Sequence, residues 1–374
     1  MYESINNYLN RLLEDSTPDS PVWNIESIRQ GKKPHWNYID GCMITALMHL
    51  SEITNDRRYS DFAEQFIDFY VAEDGSILGY NKEKYNLDDV NEGRVLFKLY
   101  KDTGKEKYQK AADALHDQLL SQPRTTTGNF WHKQIYPDQI WLDGIYMAQV
   151  FSALYEKNCA NGDYSDITGQ IENVGKLMKD PVTGLYFHGC DVSRKAFWAD
   201  PETGCSKSFW LRSIGWFMIA LSDLSEIMDE VSAKSVKRIL KDLIESIARF
   251  SDVETGMYYQ VADKGPVPGN YLETSGSAMV AYAMLKAARL GIVSEEYAKK
   301  GQKTFDGICD KYLKETENGL NLAGICLVAG LGPENNRRRD GSFEYYISEP
   351  VVENDAKGVA PFILCYTEIL RRIR

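Results

Sequence analysis

Apolar residues recur along this chain with a helical period. Val236, Ile239, Leu240, Leu243, Ile244, Ile247 and Phe250 follow the i, i+3, i+4, i+7 spacing over four turns. Phe62, Phe66, Phe69 and Tyr70 repeat it in a shorter stretch. Such helices have one apolar stripe and one charged face, which predicts a layer with one side in water. Segments of this kind fall at 2–14, 59–70, 105–119, 165–178, 233–250 and 295–313. A second kind alternates with them, at 36–53, 87–100, 141–155, 210–227, 275–290 and 356–370. These carry few charges in their first turns, are apolar on most faces and are rich in Gly, Ala and Met. A helix apolar nearly all round is a buried helix. Strand signals are weak, because alternating runs bounded by Asn-Gly or Asp-Gly do not recur.

The alternation is a degenerate repeat of roughly 60 residues. Asp40, Asp88, Asp143, Arg212, Thr274 and Asp355 mark equivalent positions in it. Six outer and six inner helices close most naturally into an (α/α)6 barrel, so the expected fold is all-α, with one domain over residues 1–374. In that arrangement the six inner helices run the same way and their N-termini open on one face. Helix N-termini favour anions. The unusual residues sit there, in Trp36-Asn37-Tyr38-Ile39-Asp40, Asn86-Leu87-Asp88-Asp89, Trp141-Leu142-Asp143-Gly144 and Phe209-Trp210-Leu211-Arg212. The basic run Asn335-Asn336-Arg337-Arg338-Arg339 reads as a solvated turn.

Composition narrows the partners. Of 374 residues, 43% are apolar and 26% charged, which excludes disorder and collagen-like repetition. Lys and Arg total 43 against 54 Asp and Glu, a net charge of −11. That balance argues against nucleic acid as the partner. It leaves a small anionic ligand open, since a pocket can differ in sign from its surroundings. The seven cysteines stand singly with no C-x-x-C, as in reduced cytosolic thiols. No signal peptide is read at the N-terminus, and no apolar run approaches the roughly 18 residues of a membrane span. A cytoplasmic location and no membrane partner are the expectation.

The strongest chemical signal is Phe130-Trp131-His132-Lys133-Gln134-Ile135-Tyr136 followed by Trp141-Leu142-Asp143. Aromatic faces stack on sugar rings, and charged groups among them fix orientation. Asp143 reads either as an N-cap or as a functional carboxyl. Asp88 and Asp89 head the second inner helix; capping explains one, and the other is a candidate partner for Asp143 in acid–base chemistry at a glycosidic centre. His188 lacks the neighbours of a zinc site and reads as a hydrogen-bonding residue over the pocket. Arg212, between Trp210 and Trp216, is either a buried ion pair or a grip on a substrate carboxylate.

Taken together, Trp131-His132-Lys133, Trp141-Leu142-Asp143-Gly144, Met147-Ala148-Gln149, Thr183-Gly184-Leu185-Tyr186, His188-Gly189, Trp210 with Arg212-Ser213, Gly215-Trp216 and Tyr271-Leu272-Glu273 resemble the unsaturated rhamnogalacturonyl hydrolases, glycoside hydrolase family 105. The resemblance implies an (α/α)6 barrel and an oligosaccharide substrate with a 4,5-unsaturated galacturonate at its non-reducing end. It implies hydration of the C4=C5 vinyl ether, with Asp143 protonating C4, Asp88 as the second pocket carboxylate, and release of the next sugar, usually rhamnose. Tyr38, His132, Lys133, Trp141, Met147, His188, Arg212 and Trp216 match substrate-binding positions. No metal or organic cofactor is implied. Cys190 and Leu211 depart from the family pattern, and Cys190 is expected to bear on the leaving-sugar subsite. An unsaturated glucuronyl hydrolase, a non-catalytic sugar-binding toroid and a sugar isomerase are the competing readings.

Overall fold

The six amphipathic segments are helices on the outside of the molecule: Tyr2–Glu14, Arg57–Tyr70, Glu106–Ser121, Ser165–Leu177, Lys234–Ile247 and Glu295–Tyr312. Lys234–Ile247 buries Val236, Ile239, Leu240, Leu243, Ile244 and Ile247, the stripe its spacing predicts. In the computed structural model, which describes residues 2–33, 35–317 and 319–373, the apolar segments form an inner ring. Four are continuous helices, Tyr38–Thr54, Leu211–Ile227, Thr274–Arg289 and Ala356–Ile373. Two are broken. The second runs as Leu87–Asn91, a 3-10 turn Glu92–Val95, and Leu96–Thr103; the third as Leu142–Gly144, a π-helical stretch Ile145–Gln149, and Val150–Cys159. Each inner helix packs on the next, and Ala356–Ile373 returns to Tyr38–Thr54, closing the (α/α)6 barrel. Leu211–Ile227 shows why these helices are interior: every residue from Leu211 to Ser225 is buried.

Polar residues at the inner N-termini divide into props and free groups. Asp40 is a prop, accepting from Trp23 Nε1 at 2.9 Å and Asn24 Nδ2 at 2.7 Å. Asp355 is another, 3.1 Å from Lys357 Nζ. Gly41 has a steric reason: a Cβ there would lie 2.6 Å from the Cα of Glu92. This close approach lets Glu92 Oε2 accept the Asn37 N–H at 2.7 Å, tying the first inner helix to the second.

Three short antiparallel pairs are the named strands among the described residues: Gln139–Trp141 with Gly189–Asp191, Leu313–Thr316 with Gly319–Leu322, and Ile325–Cys326 with Val351–Val352. The first pair matters for the site, because it sets Trp141 opposite Gly189 and so brings two loops together. Among the described residues no helix is long and apolar enough to cross a membrane. The seven cysteines are free thiols.

Candidate active site

The converging N-termini do not contribute equally. A cavity of about 330 Å³ is walled by the starts of the first three inner helices (Asn37, Tyr38, Ile39; Asn86, Asp88, Asp89; Asp143, Met147) and by His132, Lys133, Tyr136 and Trp141. Its far wall is Val328, Ala329, Gly330 and Arg339. The starts of the other three inner helices are covered. There Trp210 packs with Val261, Tyr345 and Tyr346. Behind them Arg212 donates from Nε to Ser275 Oγ at 2.7 Å, donates from Nη2 to the Cys326 carbonyl, and lies 3.6 Å from Glu273.

Backbone hydrogen bonds set the loops between the helix ends. The His132 carbonyl accepts from Leu87 N at 3.2 Å, and the His188 carbonyl from Leu142 N at 3.0 Å. Each loop is thus clipped to the first turn of an inner helix. Trp141 stacks on His132, with centroids 4.5 Å apart, and lies 4.7 Å from Tyr136, making one aromatic wall. Gly144 permits this, since a Cβ there would come within 3.1 Å of His132 Nδ1.

Asp143 does not cap its helix, which starts without a side-chain cap. Its side chain is 14% exposed, and Oδ2 lies 3.2 Å from Nε2 of the fully buried His188. The other ring nitrogen, Nδ1, is 2.7 Å from Tyr346 Oη. Burial pushes the Asp143 carboxyl up, but His188 and His132 together hold it below the ordinary carboxylate range. Burial pushes His132 down to about 4. At neutral pH it is therefore uncharged, and its pull on Asp143 is then absent.

Asp88 and Asp89 are both free of capping, because Asn86 Oδ1 caps that helix. Lys133 Nζ lies 2.5 Å from Asp88 Oδ2, and His132 Nε2 lies 3.7 Å from Oδ1. Burial, with Asp88 beside it, raises Asp89 to about 7.

Seven of the ten residues singled out from sequence line this cavity: Tyr38, Asp88, His132, Lys133, Trp141, Asp143 and Met147. His188 stands directly behind Asp143. Trp216 is one layer deeper, stacked on Tyr146 at 4.7 Å and edge-on to Tyr38 at 6.3 Å. Arg212 is 1% exposed and engaged by Glu273, so the ion-pair alternative describes its position and a direct grip on substrate does not. Cys190 is also turned away from the cavity, with Sγ 3.8 Å from the Thr203 carbonyl, and so does not shape a sugar subsite. The basic run is corrected in part. Arg338 pairs with Glu349 at 2.8 Å, but Arg339 is half-buried and lines the cavity, with no ion pair to a described carboxylate. Among the described residues no three His, Cys, Asp or Glu side chains gather as a metal-binding group.

A smaller cavity, about 180 Å³, opens where the inner helices end. Its charges pair among themselves, although Arg94 Nε and Nη1 have no hydrogen-bond partner among the described residues: Asp223 takes Arg94 Nη2 at 2.6 Å and Lys286 at 2.9 Å, and Glu226 takes Lys286 at 2.8 Å.

The model of Glycosyl Hydrolase Family 88 matches residues 16–373. A solved Clostridium acetobutylicum ATCC 824 glycoside hydrolase of family 105 superposes with a TM-score of 0.86, at 42% identity over 89% of this chain and 93% of that one. The chain belongs to the family 88/105 glycoside hydrolases. Protein Atu3128 of Agrobacterium fabrum is 43% identical over 224 residues, 56% of this chain and 95% of the relative. The unsaturated rhamnogalacturonyl hydrolase YesR of Bacillus subtilis is 27% identical over 303 residues, 78% of this chain and 81% of its own. An aromatic wall flanked by carboxyls is a surface that can stack a sugar ring and orient it.

Proposed function

We propose that this glycoside hydrolase is an unsaturated rhamnogalacturonyl hydrolase, a single catalytic domain over residues 1–374 acting in the cytoplasm on a small oligosaccharide. The observation that carries the reading is Asp143: a carboxyl on the cavity wall, backed by His188 and flanked by Trp141. The resemblance to YesR supports the substrate class.

In this reading the unsaturated uronate lies against Trp141 and Tyr136. The Asp143 proton passes to C4, and the C4=C5 electron pair forms the new C–H bond. Positive charge develops at C5 and is shared by the ring oxygen. Water adds to C5 and gives its proton to the Asp143 carboxylate. The resulting hemiketal opens and releases the next sugar, rhamnose. Asp143 must hold its proton in the complex although it favours the ionised form in the free protein. The bound uronate supplies that change, because a second carboxylate nearby disfavours ionisation. Lys133 holds Asp88 in place, and Arg339 offers a fork to an anionic group of the ligand.

The test is substrate selection. Lyase-treated rhamnogalacturonan, unsaturated galacturonate oligomers and unsaturated chondroitin disaccharide are incubated separately with the protein, and absorbance of the conjugated alkene is followed. Loss with the first alone is expected. Loss with the chondroitin product alone would make it a glucuronyl hydrolase, and no loss with any would leave a binding toroid.

A further inference from the structure

We infer that Tyr346 is a positioning residue for the reaction: its hydroxyl fixes which nitrogen of His188 carries hydrogen, and so decides which oxygen of Asp143 holds the transferable proton. The inference rests on the reading of Asp143 as the proton donor. Nothing in the local sequence around Tyr346 marks it, and its role comes from where the fold puts it.

Tyr346 lies in the short helix Phe343–Ile347, inside the excursion that leaves the barrel after Ile325–Cys326 and returns at Val351–Val352. It is fully buried. Its Oη is 2.7 Å from His188 Nδ1, and Nε2 of the same ring is 3.2 Å from Asp143 Oδ2. Hydroxyl, imidazole and carboxyl therefore stand in one row leading to the cavity, its last contact a 3.2 Å approach in which neither Nε2 nor Oδ2 has another hydrogen-bond partner among the described residues. Each member is held. The Tyr346 ring stacks on Trp210 with centroids 5.8 Å apart and planes 10° from parallel. Trp210 and Trp141 flank His188 at 4.7 and 5.3 Å. The Tyr346 carbonyl accepts from Gln260 Nε2 at 3.1 Å.

A neutral imidazole has one N–H and one lone pair, whereas a phenol can donate or accept. A Tyr346 O–H that donates to Nδ1 leaves the ring hydrogen on Nε2, facing Asp143 Oδ2. Oδ2 then accepts, and the carboxyl proton resides on Oδ1. With the opposite tautomer the Nε2 lone pair faces Oδ2. The carboxyl proton would then be drawn into the Asp143–His188 contact and away from the alkene. Burial first, then Tyr345 and Asp143, holds the Tyr346 phenol well above its usual range, so the donor stays protonated. The other titratable groups facing this chain are His132 on Asp143, and Asp340 and Cys326 on Tyr346. His132 is neutral above about pH 4 and does not compete at neutral pH.

The test is Tyr346→Phe, which keeps the ring on Trp210 and removes the hydroxyl. The chain has only five histidines, so ¹⁵N-histidine spectra with His188→Gln as the assignment control resolve His188 directly. Hydrogen on Nε2 is expected in the wild type, with a shift toward Nδ1 in the variant. With substrate, kcat falls about 10-fold, the upper end of what one neutral hydrogen bond contributes. KM stays within about 2-fold, as for an interaction made in the transition state. Loss of the Nε2–H donor raises the Asp143 pKa, so the basic limb of kcat/KM moves up by about 0.5 to 1 pH unit. A merely structural tyrosine would lower the melting temperature and leave tautomer and limb unmoved, which overturns the inference. So does wild-type protein with hydrogen on Nδ1, a result that needs no folded variant. A tautomer shift without wild-type turnover of any unsaturated uronide would instead fault the proposed function.

Discussion

Asp143→Asn separates chemistry from binding. The replacement is isosteric, and its amide oxygen can still accept from His188 Nε2 across the 3.2 Å gap that the carboxylate spans. What it lacks is a proton to give. Removing a general acid costs about 10²- to 10⁴-fold in rate, or about 3 to 5.5 kcal/mol of barrier. Binding should move the other way. An ionised Asp143 about 5 Å from a uronate carboxylate, at an effective dielectric of about 20, repels it by about 3 kcal/mol before screening. The variant is free of that term, so affinity is equal or tighter. Turnover is read from the alkene absorbance, and affinity from calorimetric titration of the variant with the same oligosaccharide. In the wild type, kcat/KM falls as pH rises through the low pKa of the free carboxyl, whereas kcat holds to higher pH because bound substrate raises that pKa. A variant within about 10-fold of wild-type kcat, below the range for a general acid, would remove Asp143 from the mechanism. A variant that binds more weakly would make Asp143 a ligand contact instead.

Further outcomes follow from the same geometry. Arg339→Ala should raise KM about 10-fold with kcat nearly unchanged, since a half-buried charge-assisted contact is worth about 1 to 2 kcal/mol; an unchanged KM in steady-state assays would return Arg339 to the solvated turn. Glu273→Gln keeps a helix cap but leaves Arg212 buried without its counter-charge, at a cost of about 3 to 5 kcal/mol. For a chain of this length that lowers the melting temperature by about 5 °C; a change confined to KM would mean that Arg212 meets substrate. Stability should also decline as pH rises from about 4, where unfolded carboxyls titrate, to about 7. Asp40 and Asp89 are raised to about 7, chiefly by burial, and burial raises Glu92 too. A raised folded pKa gives stability that is complete below the unfolded value and lost as pH passes the folded one. Burial opposes ionisation of Glu226, but Lys286 and Arg289 hold it at about 2, so its contribution is present above the unfolded value and lost in acid. A melting temperature flat between about pH 4.5 and 7 would contradict the assignment.

The fold was readable because its two helix populations differ in kind. Lys234–Ile247 shows a stripe, whereas Leu211–Ile227 is apolar on every face, and only a double ring places six of each. The breaks in the second and third inner helices were not readable, because neighbours impose them. Gly93 looks like a weak helical residue, yet a Cβ there would sit 2.3 Å from Leu115 Cδ1 of an outer helix. The first half of the barrel mouth was legible for a related reason. Its functional groups lie in two short runs, 86–89 and 131–143, each spelled by aromatic and charged neighbours. Even there, Asn86 could have been recognised as the cap, since Asn leads that position and acidic residues follow it in the first turn. The second half depends on partners far apart in sequence. Arg212 meets Glu273, His188 meets Tyr346, and Arg339 reaches a wall built by the first inner helices. A buried arginine and a substrate-gripping one carry the same local signature, and what separates them is whether a distant carboxylate arrives first. In this barrel Glu273 does so at Arg212, which leaves Arg339 as the guanidinium open to a ligand among the cavity residues.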